Sequence, residues 1–289
     1  MIEMKTTRLG ALEFRYAESP GPNPPILLLH GATDSLESYL APLGELAGHF
    51  HLFALDFRGH GFSERSPGRY RIRDHSGDVQ AFLATVIRRP TIIAGHSLGA
   101  LVAAFTAALA DDLICAAFLE DPPLYTAQMP RLRATPDYQI FLGIREVLSN
   151  YHQSGQSVEE LAEIVGAWPI HPMLFDGKPL LEIAGAGVVR ARAESLHRVD
   201  IGVLDTLLDG TQFDGFAPDN GMVRIRCPLH VVAGDTSLGG TIDRQDLEHL
   251  KSLISHLSYR VLPGLGHFIH HTAPTLYAQE LRSFAEGLR

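Results

Sequence analysis

The sequence predicts an α/β fold in which a mostly parallel, twisted sheet is flanked by helices and interrupted by a helical insertion. Short continuous apolar runs alternate with helical patterns at both ends of the chain. Such runs suit strands that are buried on both faces of a parallel sheet. In the middle of the chain, apolar residues follow mostly helical spacing. We therefore expect a core domain of residues 1–124 and 226–289 and a helical insertion of residues 125–225.

The individual elements follow from the same patterns. Residues 1–18 alternate in hydrophobicity and break at Gly10, which predicts a hairpin. A nearly all-apolar helix at Leu98–Ala110 implies a buried helix. The other helices are predicted over residues 36–48, over residues 74–88 with Asp74 as a candidate N-cap, and over residues 243–255 and 273–288. The strands are predicted at Ile26–Leu29, His51–Leu55, Thr91–Ala94, Leu113–Leu119, Leu229–Ala233 and Tyr259–Leu262.

Composition excludes several classes of protein. The chain has 289 residues, of which 45% are hydrophobic and 20% charged, so it is long enough and apolar enough to bury a large core. Its net charge of −9 argues against nucleic acid or an anionic membrane as the main partner. The sequence contains neither an apolar run of 18 residues nor a signal-peptide pattern. We expect a cytoplasmic protein.

The strongest chemical signal is the segment AGHSLG at residues 94–99. It contains Gly-x-Ser-x-Gly between a predicted strand and a predicted helix, which is the context that a nucleophilic serine on a sharp turn requires. The turn would present Ser97 beside the N-terminus of the following helix. Free N–H groups and a partial positive charge at that terminus can stabilise an oxyanion, so the N–H of Leu98 is one candidate donor.

Two further segments complete this chemistry. His30-Gly31-Ala32 follows the first buried strand, and the N–H of Ala32 can supply the second oxyanion donor. His267 follows a strand near the C-terminus, and histidine as a residue type suits the role of a base for a serine hydroxyl. His30 itself is better explained as a structural histidine than as a base.

Taken together, these segments resemble the α/β-hydrolase family along the whole chain. The matching segments are HGA at 30–32, DFRGHGFS at 56–63, GHSLGA at 95–100, LEDPP at 119–123, AGD at 233–235 and GLGHF at 264–268. The resemblance implies a nucleophile at Ser97, a base at His267 and an oxyanion hole at Ala32 and Leu98. It also implies that the insertion of residues 125–225 is an inserted helical cap that forms one wall of the substrate pocket.

The acid of the catalytic triad departs from the usual family pattern. The family's common position after the strand at Leu229–Ala233 corresponds to Ser237, which cannot be an acid. Some members of the family carry the acid after the preceding strand, and Asp121 lies there. We favour Asp121, with Asp235 as the alternative. Glu120 is the weakest candidate, because side chains alternate along a strand and Glu120 would point away from Asp121.

The cap supplies the candidate substrate-binding residues, whose other explanation is plain packing within the cap. No metal-binding motif accompanies the abundant histidines, so we expect neither a metal nor a cofactor. The two cysteines are too few for a disulfide framework. The candidate pocket residues are apolar or aromatic: Tyr138, Phe141, Trp168, Met173 and Phe175.

The function expected from these residues is that of a serine hydrolase, with an esterase or lactonase as the most favoured form. It would cleave an apolar carboxylic ester, thioester or lactone through an acyl-enzyme. A carbon–carbon bond hydrolase uses the same triad and stays open as an alternative. A ligand receptor of the same fold with little turnover also stays open. The sequence does not indicate the physiological substrate or the oligomeric state.

Overall fold

The computed structural model describes residues 1–22, 24–110, 112–124, 133, 136–168 and 177–288. Within this part of the chain, eight strands form one sheet in the order β1-β2-β4-β3-β5-β6-β7-β8. Strand β2 runs antiparallel to both of its neighbours, and all the other neighbouring pairs are parallel. The predicted hairpin and the mostly parallel sheet are therefore confirmed. The strands are β1 (Glu3–Leu9), β2 (Leu12–Ser19), β3 (Pro25–Leu29), β4 (His51–Leu55), β5 (Thr91–His96), β6 (Ile114–Glu120), β7 (Leu229–Gly234) and β8 (Leu257–Leu262).

Helices connect the parallel strands much as the sequence predicts. The predicted helix over residues 36–48 is a 3₁₀ turn, Leu36–Tyr39, followed by a short α-helix. Asp74 is not an N-cap, because it lies three residues after the N-cap position, Arg71, and accepts that residue's backbone N–H. The core helices are α1 (Leu40–Leu46), α2 (Ile72–Phe82), α3 (Leu98–Leu109), α9 (Arg244–Leu253), α10 (Ile269–Thr272) and α11 (Pro274–Glu286).

The range predicted as a cap contains five described α-helices. Helices α5 and α6 pack against each other, and α4 packs against α7, whereas α8 contacts α3 of the core. None of the helices in the described ranges has the length and apolar character that a membrane span requires. These helices are α4 (Pro136–Ser154), α5 (Val158–Gly166), α6 (Leu180–Arg198), α7 (Ile201–Asp209) and α8 (Pro218–Met222).

The continuous apolar strands follow from burial of the sheet on both faces. In β3, Leu27 and Leu29 belong to one buried cluster, whereas Ile26 and Leu28 belong to a second cluster. Successive strand side chains point to opposite faces, so a strand covered on both sides must be apolar at every position. The second cluster includes side chains of α1 and α11, and the first includes those of α3 and of the helices between β6 and β7.

Helix α3 makes an unusually close approach to the end of β3. A Cβ atom on Gly99 would lie 2.0 Å from the carbonyl oxygen of Leu29 and 2.7 Å from that of His30. Real Cβ atoms do not come so near backbone oxygens, so only glycine allows this contact. The first turn of α3 is thereby held against the loop that follows β3.

We predict that Gly99→Ala lowers the free energy of unfolding by about 2–3 kcal/mol, because the added methyl group forces α3 away from β3. Gly77→Ala is the matched control, since its Cβ meets nothing within 4 Å on the exposed side of α2. Alanine at position 77 raises the free energy of unfolding by about 0.5–1 kcal/mol through helix propensity. Chemical denaturation measures both changes, and equal effects of the two substitutions contradict the close approach.

Candidate active site

Ser97 lies on a strained turn between β5 and α3. Its φ of 51° and ψ of −113° fall in a region that non-glycine residues seldom adopt. The backbone N–H of Ser97 donates to the carbonyl oxygen of Glu120 over 3.1 Å, which ties the turn to the end of β6. The serine is buried, with 7% of its surface exposed. This geometry is the sharp strand-to-helix turn that the sequence motif predicts.

The loop after β3 lies beside the first turn of α3. Both Ala32 and Leu98, the expected oxyanion donors, are buried. His60 Nε2 lies 2.9 Å from the carbonyl oxygen of Ala32, which anchors that loop. His30 donates from Nδ1 to the carbonyl oxygen of Gly31 and accepts the N–H of Phe57 at Nε2. Both of its ring nitrogens are engaged, and burial lowers the pKa of His30 to about 3, so it is a structural histidine as predicted.

His267 and Asp121 form a buried hydrogen-bonded pair. The distance from His267 Nδ1 to Asp121 Oδ2 is 2.6 Å, and the two residues are 4% and 0% exposed. With a proton on Nδ1, the lone pair on Nε2 can accept a proton from a substrate or a nucleophile. The ring of His96, next to Ser97 in the chain, lies 4.5 Å from the ring of His267 between centroids. The structure thus brings together the three segments that carry Ser97, Asp121 and His267.

Backbone groups from the loop after β7 hold the Asp121 carboxylate. Gly234 N–H donates to Oδ1 over 2.9 Å, and Thr241 N–H donates to Oδ2 over 2.7 Å. The Thr241 hydroxyl donates to the carbonyl oxygen of Asp121 over 2.7 Å. With His267, three N–H donors therefore converge on one carboxylate. No sequence motif marks Thr241 as part of the site. The only signal in the sequence was its position after β7, the strand next to β6.

The other two candidate acids lie elsewhere. Asp235 Oδ1 accepts the backbone N–H and the hydroxyl of Ser237, and these bonds lower the pKa of the Asp235 carboxyl. This arrangement is the local turn that aspartate commonly forms. Glu120 Oε1 accepts the backbone N–H of His270 over 2.8 Å. In the described structure, the carboxylate that accepts a hydrogen bond from His267 Nδ1 is therefore that of Asp121.

A buried ion pair connects the loop after Ala32 to the helices of the predicted cap. Arg192 of α6 donates to Asp34 Oδ1 over 2.6 Å and to the carbonyl oxygen of Thr33 over 2.7 Å. His271 Nε2 lies 3.2 Å from Asp34 Oδ2. Burial opposes the charge on Asp34, but the cationic groups of His271 and Arg192 outweigh it and hold the pKa of Asp34 well below its usual value.

The candidate pocket residues are only partly covered by the structure. Trp168 and Phe141 pack against the main apolar cluster, which is the packing explanation considered for them. The Tyr138 hydroxyl donates to the carbonyl oxygen of Leu208 in α7 over 3.2 Å. Met173 and Phe175 lie outside the described residues.

Two groups in the described ranges have the composition of a metal site. One group is Asp34, His270 and His271, and the other is His96, Glu120 and His270. The first group already forms the ion pair with Arg192. Hydrogen bonds from the second group run to the backbone around His267, so both groups have a structural use without a metal.

The comparison with known families decides where this site belongs. The model of the alpha/beta hydrolase family matches residues 26–280, which is most of the chain. The chain belongs to the alpha/beta hydrolase family. The resemblance and the fold class expected from the sequence are therefore confirmed.

Relatives of this alpha/beta hydrolase include proteins with named activities. The chain is 25% identical to 2-(acetamidomethylene)succinate hydrolase of Mesorhizobium japonicum over 96% of this chain and 94% of that protein. A crystal structure of E-2-(acetamidomethylene)succinate hydrolase has a TM-score of 0.72 and 18% identity, covering 99% and 100% of the two chains. The enol-lactonase from Burkholderia xenovorans LB400 has a TM-score of 0.73 and 18% identity, covering 97% and 99%. The two solved structures share the fold with this hydrolase.

We predict that Asp121→Asn lowers kcat for a chromogenic ester by about 10³–10⁴, because the asparagine amide no longer fixes the tautomer of His267 or stabilises its cation. Asp235→Asn is the matched control and changes kcat by less than about tenfold, since that side chain accepts from Ser237 in a local turn. Steady-state kinetics measure both values, and thermal melting shows that both variants are folded. The opposite ranking of the two variants assigns the acid to Asp235.

Proposed function

We propose that this hydrolase cleaves a small apolar carboxylic ester, thioester or lactone through an acyl-enzyme on Ser97. The observation that carries the proposal is the strained turn at Ser97, whose neighbour His96 has its ring 4.5 Å from the ring of His267. The Nδ1 atom of His267 is 2.6 Å from a buried aspartate. A fold does not specify a reaction by itself, so the argument rests on these side chains. A strained buried serine destabilises the fold, and an activated nucleophile explains why it is kept.

The proposed reaction has two halves. His267 Nε2 takes the hydroxyl proton of Ser97 while Oγ attacks the acyl carbon, and the new oxyanion accepts the N–H groups of Ala32 and Leu98. The bond to the leaving oxygen or sulfur then breaks, and His267 returns the proton to the leaving group. Water, deprotonated by His267, attacks the acyl-enzyme in the second half. The carboxylic acid leaves and Ser97 regains its proton.

The helices between β6 and β7 are proposed as the cap of this site. Arg192 and Ser195 of α6 contact the loop after Ala32, through Asp34 and Ser35 respectively. A wall anchored so near the proposed oxyanion hole can determine which acyl groups reach Ser97. The same place was assigned to a cap by the sequence.

A second candidate substrate class rests on the relative from Mesorhizobium japonicum. The name of that protein indicates a substrate with an amide group and two carboxylates. Such a dianion needs cationic partners in the site. Arg192, a cation beside the loop after Ala32, is paired with Asp34, and His271 Nε2 also lies 3.2 Å from that carboxylate. That pairing favours the uncharged ester or lactone over the dianion.

We predict that wild-type protein turns over apolar p-nitrophenyl esters or lactones continuously, with an initial burst of one product per site. Ser97→Ala lowers kcat by about 10⁴–10⁶, because the nucleophile is lost. Ser237→Ala is the matched control and keeps wild-type kcat, since its hydroxyl binds Asp235 at the exposed surface. The substrate panel consists of these esters and lactones together with 2-(acetamidomethylene)succinate.

Three results would count against the proposal in different ways. If 2-(acetamidomethylene)succinate is cleaved faster than any ester, the result supports the second substrate class, an amide with two carboxylates. A single event per site without further turnover supports a ligand receptor. Equal turnover by wild type and Ser97→Ala removes the acyl-enzyme altogether.

A further inference from the structure

A cluster of three buried polar side chains lies directly behind the candidate triad. His96 precedes Ser97 in the chain, and it is aligned with Glu120 across β5 and β6. Glu120 precedes Asp121, and His270 follows His267 by three residues. All three members of the cluster, His96, Glu120 and His270, are at most 1% exposed. The proposed mechanism uses none of their side chains.

The protonation of His96 follows from its contact with His267. His96 Nε2 lies 3.0 Å from the carbonyl oxygen of His267. A carbonyl oxygen can only accept, so His96 Nε2 carries the proton and donates it. Burial and the neighbouring His267 hold the pKa of His96 well below its usual value, so the ring is neutral. His96 Nδ1 therefore carries a lone pair, and it has no hydrogen-bond partner within the described ranges.

His270 resembles His96 in having one ring nitrogen engaged and the other without a partner among the residues described. Glu120 Oε1 accepts the backbone N–H of His270 over 2.8 Å and lies 2.9 Å from its Nδ1. An Nδ1 proton donated to Oε1 leaves a lone pair on Nε2. Burial lowers the pKa of His270 to about 4, so this ring is also neutral. Neither His270 Nε2 nor Glu120 Oε2 has a partner among the residues described.

The cluster therefore holds two acceptors without a donor, and the state of Glu120 decides whether they are satisfied. An ionised Glu120 would add another acceptor, and three unsatisfied buried groups are costly. A protonated Glu120 supplies the missing O–H donor. One nitrogen of each histidine and one carboxylate oxygen lie within 4.8 Å of one another. The three side chains are thus close enough for one water that accepts from Glu120 and donates to both histidines.

We propose that Glu120 is a positioning residue, an uncharged acid that joins His96 and His270 through one bound water and so fixes the backbone of His267. Hydrogen bonds connect the cluster to the backbone on both sides. His96 holds the carbonyl oxygen of His267, and Glu120 holds the N–H of His270 at the second residue of α10. The carbonyl oxygen of Glu120 also accepts the N–H of Ser97. The catalytic part of this inference rests on the proposed role of His267 as the base.

The electrostatic surroundings support an uncharged Glu120. Burial raises the pKa of Glu120 to about 8, and the negative charge of Asp121 adds to this effect. The N–H of His270 and the cationic forms of His271 and His267 act in the opposite direction but are weaker than burial. From the other elements, the neutral rings of His96 and His30, the phenols of Tyr39 and Tyr277, and the Asp34 carboxylate are further titratable groups near the cluster.

The proposal predicts a specific alkaline limb in the activity of the wild type. Above about pH 8, Glu120 ionises and the O–H donor disappears, so kcat falls by about tenfold to a hundredfold with little change in KM.

Glu120→Gln keeps an acceptor for His270 and an N–H donor for the water, but it does not titrate. We expect it to keep kcat within about threefold of wild type at pH 7 and to stay active to pH 10. Glu120→Leu lowers kcat at every pH. Glu248→Gln, an exposed substitution in α9, is the matched control and retains the wild-type alkaline limb.

Thermal melting tests the same protonation without any substrate. Glutamate ionises near pH 4.5 in the unfolded chain but near pH 8 in the folded one. Between these values the folded state binds the extra proton, so wild-type stability falls as pH rises. The Tm of wild type should therefore fall relative to that of Glu120→Gln between pH 5 and pH 8 and then level off.

Each contrary result overturns the inference separately from the proposed hydrolysis. Parallel Tm curves for wild type and Glu120→Gln show that Glu120 is already ionised in the folded protein. An inactive Glu120→Gln at pH 7, or one with the wild-type alkaline limb, shows that an uncharged donor at this position is not what the site needs. Absence of turnover with the whole panel defeats the proposed function, while the Tm comparison still decides the charge of Glu120.

Discussion

The candidate site depends on one buried carboxylate, that of Asp121, at the edge where parallel strands end. Its two oxygens accept N–H groups from Gly234 and Thr241, at the end of β7 and in the loop after it, and from His267 after β8. Because a buried carboxylate without such donors is costly, the loops after β6, β7 and β8 must adopt their positions together. The orientation of the His267 ring therefore depends on how these three loops are placed at the carboxyl ends of the strands.

A second set of contacts holds the remaining loops to the same edge. The strained turn at Ser97 donates to β6, and His96 fixes the carbonyl oxygen of His267. Asp34 connects the loop after β3 to helix α6 through Arg192. Strain at the serine persists because the elements around it are packed too closely to relax, as the contact between Gly99 and Leu29 shows. The segments that carry Ser97, His267 and Asp34 are thus held together by direct contacts.

The sequence predicted the parts of this molecule that local patterns control. Apolar runs located the parallel strands, and Gly-x-Ser-x-Gly located the turn at Ser97. The choice between Asp121 and Asp235 was harder, because both follow a strand and only a contact across 146 residues of chain distinguishes them. Thr241, His96 and Arg192 carry no motif, since their roles depend on partners that the fold brings near. Glu120 was considered only as a triad acid, and its link to His270 required the structure.

The central claim is that the pair of His267 and Asp121 activates Ser97. Labelling with a small fluorophosphonate, followed by intact mass, tests it most directly, because the reagent modifies a serine only when a base and an oxyanion hole activate it. The account predicts one adduct on the wild type, none on Ser97→Ala, and labelling slowed by orders of magnitude in Asp121→Asn. An adduct that persists in Ser97→Ala, or equal labelling rates for wild type and Asp121→Asn, would contradict it.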